Sequence, residues 1–268
     1  FILMTEDSIY KERMGKLKEL KNLGINPYPY NYGKKDYSAE ILDKFKEVYC
    51  PDNLILCVVG DADFDNLAKF AEKTFDNLQG KIILPPIKLK NDEITEERKG
   101  IDQANMIFAQ HSPLTHDKKS YAALVLNTLM AGGMSSRLFA EIREKRNLAY
   151  SVKGGEEITK NFSYSMIYVG AMKKNVEKIK SLILEEFDKV ASSLEEKEIN
   201  SVKNQIIGNH QISMEDSHEQ MASLLLYEID GNIDGFYGFE KKISEVKLKD
   251  VQELAKTKKY SFFALVPE

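Results

Sequence analysis

Residues 127–152 read NTLMAGGMSSRLFAEIREKRNLAYSV, the stretch with the densest local signal in the chain. Gly132-Gly133 separates an apolar run ending at Met130 from a second run carrying Leu138, Ile142 and Lys145 at helical spacing. That pattern predicts a tight helix-to-helix turn, because a residue without Cβ lets another backbone approach closely. Ser135 or Ser136 is placed to cap the helix that follows. The turn lacks the following Lys-Ser/Thr that would make it a phosphate cradle. Arg137, Arg143 and Arg146 fall within ten residues beside the apolar stripe, and on spacing alone they read as a solvated face paired by Glu141 and Glu144.

Outward from this stretch, the pattern downstream predicts a strand near Ala104–Gln110 and a helix from about His116 to Met130. Strands follow near Ala149–Gly154 and Phe162–Gly170. Val176, Ile179, Ile183, Phe187 and Val190 set the next helix, and a long helical region runs from Glu195 to about Glu228. Short helices near Gly235–Ser244 and Lys249–Lys256 precede a terminal strand, Tyr260–Val266. Upstream, residues 5–23 read as a charged surface helix stopped by Gly24, and residues 24–33, rich in Pro and Tyr, as a loop. A helix from Ser38 leads to NLILCVV (53–59), an unbroken apolar run suited to a strand covered on both faces. Phe64 to Phe75 is helical, and residues 78–99 form the linker candidate. ILDKFKEVYCPDNLILCVVGD (41–61) and DVQELAKTKKYSFFALVPE (250–268) both place an amphipathic helix before a buried strand, which suggests two related units. The fold class is α+β, α/β units with helices layered on largely antiparallel sheets.

The composition narrows the function classes. The chain has 268 residues, 43% hydrophobic and 30% charged, the balance of folded protein. A net charge of −4 gives no global field for nucleic acid. Cys50 and Cys57 are too few for a disulfide framework or a four-thiolate site. No apolar run approaches the ~20 residues of a membrane span, and Phe1–Met4 is too short for a signal-peptide core. Both point to the cytoplasm. His111 and His116 flank a proline-containing loop. His210 and His218 are eight apart, so they could share a helix face, but the rise of ~12 Å is too large for one ion. His218-Glu219 opens like a helical His-Glu-x-x-His, with Ala222 where the second His would stand, and the inverted His-x-x-Glu-His is absent. No Gly-x-Ser-x-Gly, Walker or dinucleotide loop occurs.

The 126–152 run resembles the corresponding stretch of the insulinase/pitrilysin family of zinc metallopeptidases. YCPDNLILCVVGDADFDNLAKFAEKTF (49–75) is similar to the end of that family's first half, and QANMIFAQHSPLTHDKKSYAALVLNTLM (103–130) to the opening of its second. The resemblance covers about residues 47–268 and implies half of a clamshell of α/β units that closes on a peptide. The domains expected are 1–46 (helix and Pro/Tyr loop), 47–85 (a partial first α/β unit) and 86–268 (a second-half peptidase-like domain). Arg143 and Tyr150, seven positions apart, match the family's Arg/Tyr pair that reaches toward bound peptide near the zinc. A guanidinium and a phenol are fixed donors for a carbonyl or the oxyanion developing on it, and loss of one such donor costs about 2.7–4 kcal/mol in a working site. Gly132 and Gly133 match the family's glycine turn, and with Ser135 and Ser136 they are expected to bind substrate.

The family's zinc motif is missing, so the resemblance implies a chain that holds no cofactor itself, with zinc expected on a partner half, and that does not hydrolyse peptides alone. The partners implied are a peptide or unfolded polypeptide and a zinc-binding chain or a second copy. A non-catalytic scaffold subunit that binds a peptide or partner is the alternative. From Met4, MTEDSIYKERMGKLKELKNLGINPYPYNY resembles the leader of class II lysyl-tRNA synthetases, where a basic helix leads to a Pro-Tyr turn, although the Pro/Tyr loop is also similar to the peptidase family. Lys11, Arg13, Lys16, Lys18 and Lys21 on that helix could touch RNA phosphates, but their interleaved acids favour a solvated face.

Overall fold

Ala104, Met106, Phe108 and Gln110 are buried and alternate with more exposed neighbours, the period of a strand with one covered face. In the computed structural model this strand, β2 (Ala104–His111), lies at the centre of a five-stranded sheet. It is antiparallel to β4 (Ser163–Ala171) on one side and to β5 (Ser261–Pro267) on the other. Outside these, β3 (Ala149–Ile158) runs antiparallel to β4, and β1 (Glu93–Arg98) runs parallel to β5. The sheet is therefore largely antiparallel, as the sequence predicts, with one parallel edge. The structure describes residues 6–24, 38–50, 53–75, 87–256 and 258–268, leaving out the side chains of 6–13, 38 and 39. The Pro/Tyr loop beyond Gly24, most of the linker before residue 87 and the side chains of Lys11 and Arg13 lie outside that range.

The chain forms two compact units, Phe1–Leu54 with Asn77–Ile82, and Ile55–Asp76 with Ile83–Glu268. The first contains α1 (Glu6–Asn22) and α2 (Ser38–Val48). The second contains α3 (Phe64–Phe75), the sheet and the remaining helices. One face of the sheet is covered by α4 (Ser120–Ala131), α5 (Val176–Ser193) and α10 (Leu248–Ala255). Phe108 stacks between Phe187 at 5.5 Å and Tyr260 at 4.8 Å, which joins sheet and helix layer through ring contacts. α4 is buried along most of its length because it touches β3 and β4 as well as α6 (Glu196–Ser213). On the opposite face Ile107 and its register partner Phe263 are exposed.

Several sequence expectations need correction. NLILCVV forms no strand: Leu54, Ile55, Leu56 and Val58 are exposed, and no described strand pairs with them. A strand is stable only inside a ladder, so apolar content alone does not make one. The helix-then-strand echo consequently holds for α10 and β5 but not for α2. Residues 93–98, expected within the linker, form edge strand β1. Its sequence EITEER carries no apolar period because its hold is the backbone ladder to β5 plus Glu93–Lys180 at 2.6 Å and Glu97–Lys173 at 2.8 Å. The helix expected from His116 starts at Ser120, after a turn in which the Asp117 carboxylate accepts from the Lys119 amide at 2.8 Å.

The long region 195–228 is two helices, α6 and α7 (Ser217–Ile229). The break falls where Asp216 caps α7 by accepting from the amides of His218 and Glu219, so His210 and His218 share no helix face. Two short helices, α8 (Ile233–Tyr237) and α9 (Phe239–Ser244), lead on to α10. Among the described residues no helix is long and apolar enough to cross a membrane. Cys50 and Cys57 are both free thiols.

Candidate functional site

The site begins at the C-terminus of α4. The Gly132 amide donates to the Thr128 carbonyl at 2.8 Å, and a Cβ on Gly132 would lie 2.6 Å from the Thr128 backbone. Gly133 has φ +128, a conformation side chains resist, so both glycines are required by geometry. Gln205 on α6 donates to the Gly132 carbonyl at 2.8 Å and fixes the turn from outside. The expected serine cap is not formed: buried Ser136 donates its hydroxyl back to the Gly133 carbonyl at 2.7 Å, while Ser135 stays exposed.

The helix expected after the turn is a π-helix over Phe139–Glu144. Its widened turn ends with the Lys145 amide on the Ala140 carbonyl at 2.9 Å and the Leu148 amide on the Ile142 carbonyl at 2.9 Å. Asn147, at φ 50, is the one non-glycine residue with positive φ among the described residues, and it reverses the chain into β3. Asn175 donates to the Leu148 carbonyl at 2.9 Å and secures that reversal.

β3 then opens with a bulge. Ala149 pairs with Ala171 and Ser151 with Gly170, so Tyr150 is an extra residue with no partner of its own. A bulge re-aims a side chain, and Tyr150 is 75% exposed. The Arg143 guanidinium carbon lies 4.8 Å from the Phe139 ring centre and 5.8 Å from that of Tyr150. Arg143 and Tyr150 are thus brought together on the surface by two consecutive irregularities, the π-turn and the bulge.

The three arginines have separate fates. Arg137 forks onto Glu198, with both contacts at 2.6 Å, and reaches buried Glu186 at 3.4 Å. The hydrogen bonds it donates to Glu198 hold its guanidinium more firmly protonated than usual. Arg146 and Lys145 both donate to Glu141, whose carboxyl the Lys145 and then the Arg146 hydrogen bonds hold down at about 2. Arg143 is exposed, with rings as its neighbours. The expected pairing is therefore right for Glu141 alone, and Glu198, some sixty positions away, was not visible from local spacing.

The described residues do not fit zinc. Among the described residues no group of three or more His, Cys, Asp or Glu side chains could hold a metal ion. His111 contacts the Lys90 carbonyl at 2.9 Å, and His210 lies against the Phe239 ring at 4.3 Å, where burial lowers its pKa.

Residues 38–206 match the model of the family described as the peptidase M16 inactive domain. An uncharacterised zinc protease of Mycobacterium leprae is 27% identical over 216 residues, covering 77% of this chain and 48% of its own length. The uncharacterised zinc protease YmxG of Bacillus subtilis is 26% identical, covering 66% and 44% respectively. The chain thus spans about half the length of these relatives. Among solved structures, a peptidase M16 inactive domain from Pseudomonas fluorescens has a TM-score of 0.74 at 18% identity, covering 99% of this chain and 71% of that one. A protease from Helicobacter pylori reaches 0.75 at 18% identity, covering 87% and 59%; both show the fold. The family match begins at Ser38, inside the 4–46 segment expected to resemble the lysyl-tRNA synthetase leader. Extending over more than half the sequence, it places this chain in the M16 peptidase family, the insulinase/pitrilysin metallopeptidases, through their inactive domain.

Proposed function

We propose that this chain is the non-zinc half of an M16 peptidase, which binds peptide and presents Arg143 and Tyr150 to a zinc site carried by a partner half. The observation that carries the reading is the exposed Arg143–Tyr150 pair, set side by side by the π-turn and the bulge. Two donors so placed suit a peptide carbonyl: the guanidinium supplies fixed N–H groups and the phenol one O–H, with the Phe139 ring centre 4.8 Å from the guanidinium carbon. At the turn the exposed Ser135 hydroxyl is offered to the same peptide, whereas the Gly132 amide and carbonyl, the Gly133 carbonyl and the Ser136 hydroxyl are already engaged.

The test is reconstitution. The purified chain is mixed with a zinc-binding M16 half carrying His-x-x-Glu-His, and cleavage of a quenched fluorescent peptide is followed. Each half alone is expected to be inactive and the mixture active, with Arg143→Ala or Tyr150→Phe lowering kcat/KM by about 10²–10³. Turnover indifferent to both substitutions would instead make the chain a scaffold subunit.

The N-terminal helix supports a subsidiary reading as an RNA-touching element, because α1 carries exposed Lys16, Lys18 and Lys21. Salt-steep binding of transfer RNA that disappears when residues 1–37 are removed would sustain it; binding independent of α1 would end it.

A further inference from the structure

Five residues beyond Ser151 on β3, and outside the site just described, Glu156 borders a cavity of about 230 Å³. Its Oε2 is shielded from solvent and has no hydrogen-bond partner among the described residues. Such an atom is costly, since a buried acceptor left unpaired has lost its water with nothing in exchange. Much of the rest of the cavity lining is aromatic and apolar. Tyr121, Tyr227 and Phe239 contribute aromatic surface, and Leu124 and Leu226 apolar surface. Gly235 lies so close to the Tyr227 ring that a Cβ there would fall 2.6 Å from it, so that ring is held in place by backbone.

The electrostatics of the lining all favour positive charge. Asp230 borders the cavity with its carboxylate already oriented, accepting from the Thr115 hydroxyl at 2.8 Å and the Lys160 amide at 3.0 Å. It also terminates α7, whose carbonyl end carries the negative pole of the helix. The aromatic faces add their own negative potential. No Lys, Arg or His lines the cavity, and its titratable groups are Glu156, Asp230, Tyr121 and Tyr227. Of the lysines close by, Lys160 donates to the Ile229 carbonyl, and the Lys242 amine lies 5.5 Å from the ring centre of Tyr121, so one lining ring already has a cation beside it.

We propose that this cavity is a binding site for a primary ammonium group on an aryl or alkyl stem, with Glu156 as its counter-charge and the Tyr121, Tyr227 and Phe239 rings holding the stem. A cavity of about 150 Å³ suffices for benzene, so the space here takes a single ring with a short aminoalkyl arm. The site is independent of the Arg143–Tyr150 pair and stands whether or not that pair serves a zinc centre.

The experiment is calorimetric titration of the full chain with 2-phenylethylamine, with the uncharged 2-phenylethanol, and with a doubly capped lysine. The arylamine is expected to bind about tenfold or more tightly than the alcohol, the preference expected when a buried polar group is matched rather than stranded. Glu156→Gln is expected to abolish that preference, while substitution of exposed Glu157 by Gln leaves it intact. Binding repeated at pH 7 in buffers of different ionisation enthalpy is expected to release about half a proton per amine, because burial pushes the Glu156 carboxyl up to about 7 and the ammonium restores its charge. Tighter binding of the capped lysine than of the arylamine would identify the source of the ammonium as a peptide side chain, and tighter binding of the arylamine as a free amine. Equal affinity for amine and alcohol, absence of binding by both amines, or an undiminished preference in the Gln variant would overturn the assignment.

Discussion

Replacing Glu156 by Gln is expected to stabilise the unliganded protein, and by an amount that depends on pH. Burial is the main influence on this carboxyl and pushes it up to about 7 from a reference of 4.5, with the Asn127 hydrogen bond opposing the rise. Between these two values the folded state binds the proton and the unfolded state has released it, so stability falls as pH rises through the window. The difference of about 2.5 pH units, at about 1.4 kcal/mol each, sets a ceiling of about 3.5 kcal/mol on the loss. Glu156 retains some contact with water, so about 2 kcal/mol is the expected observation. Gln keeps the shape and an acceptor for Asn127 but carries no charge. Urea unfolding at pH 5, 6, 7 and 8, followed by tyrosine near-ultraviolet circular dichroism, should therefore show the variant gaining on the parent across the series, with most of the gain between pH 5 and 7. A difference that stays constant from pH 5 to pH 8 would show that Glu156 is charged in the folded chain throughout, and would refute the reasoning.

Three further substitutions test the local geometry by the same unfolding measurement. Asn147→Val should cost about 1–2 kcal/mol, since a β-branched residue is strained at φ 50, whereas Asn147→Gly should be close to neutral. Arg137→Ala should cost about 3 kcal/mol by leaving Glu186, which is 3% exposed, with Lys189 as its one remaining cation. Arg143→Ala should cost less than about 1 kcal/mol, the worth of an exposed cation–ring contact, so a large effect on reconstituted turnover would be separable from folding.

The sequence discloses those parts of the fold in which period and burial coincide. β2, β4, β5 and α5 each bury one periodic face, and each is legible to within a residue or two apart from the later C-terminus of α5. β1 is illegible because an edge strand held by its ladder and by ion pairs needs no apolar pattern. NLILCVV fails in the opposite way: its composition is that of a buried strand, but pairing is a property of neighbours and not of the segment. At the site, Arg143 and Tyr150 were found through resemblance, while their proximity could not be read from spacing. A regular helix and an unbulged strand would have shared the same sequence signal. Glu156 went unnoticed because it lies in a Glu156-Glu157 pair beyond Gly154, where the strand was expected to end, and it is the packing of Tyr227 and Leu226 from seventy positions downstream that helps enclose it.

The unequal fates of the three arginines bear on function. Charge composition alone would let any of them pair, and an ion pair is the default end for a surface arginine beside glutamates. Here Glu198 and Glu186 engage Arg137, and Glu141 accepts from both Lys145 and Arg146. Arg143 is left with its donors unclaimed by any carboxylate among the described residues and its plane flanked by two rings. The two backbone irregularities that create this arrangement each carry a cost: a π-turn departs from the better i→i−4 geometry, and a bulge leaves a residue out of the ladder. On the proposed function, irregularities that set one cation beside one phenol and a further ring would serve an external acceptor. A guanidinium already satisfied by a carboxylate would have to break that pair before it could receive a peptide carbonyl.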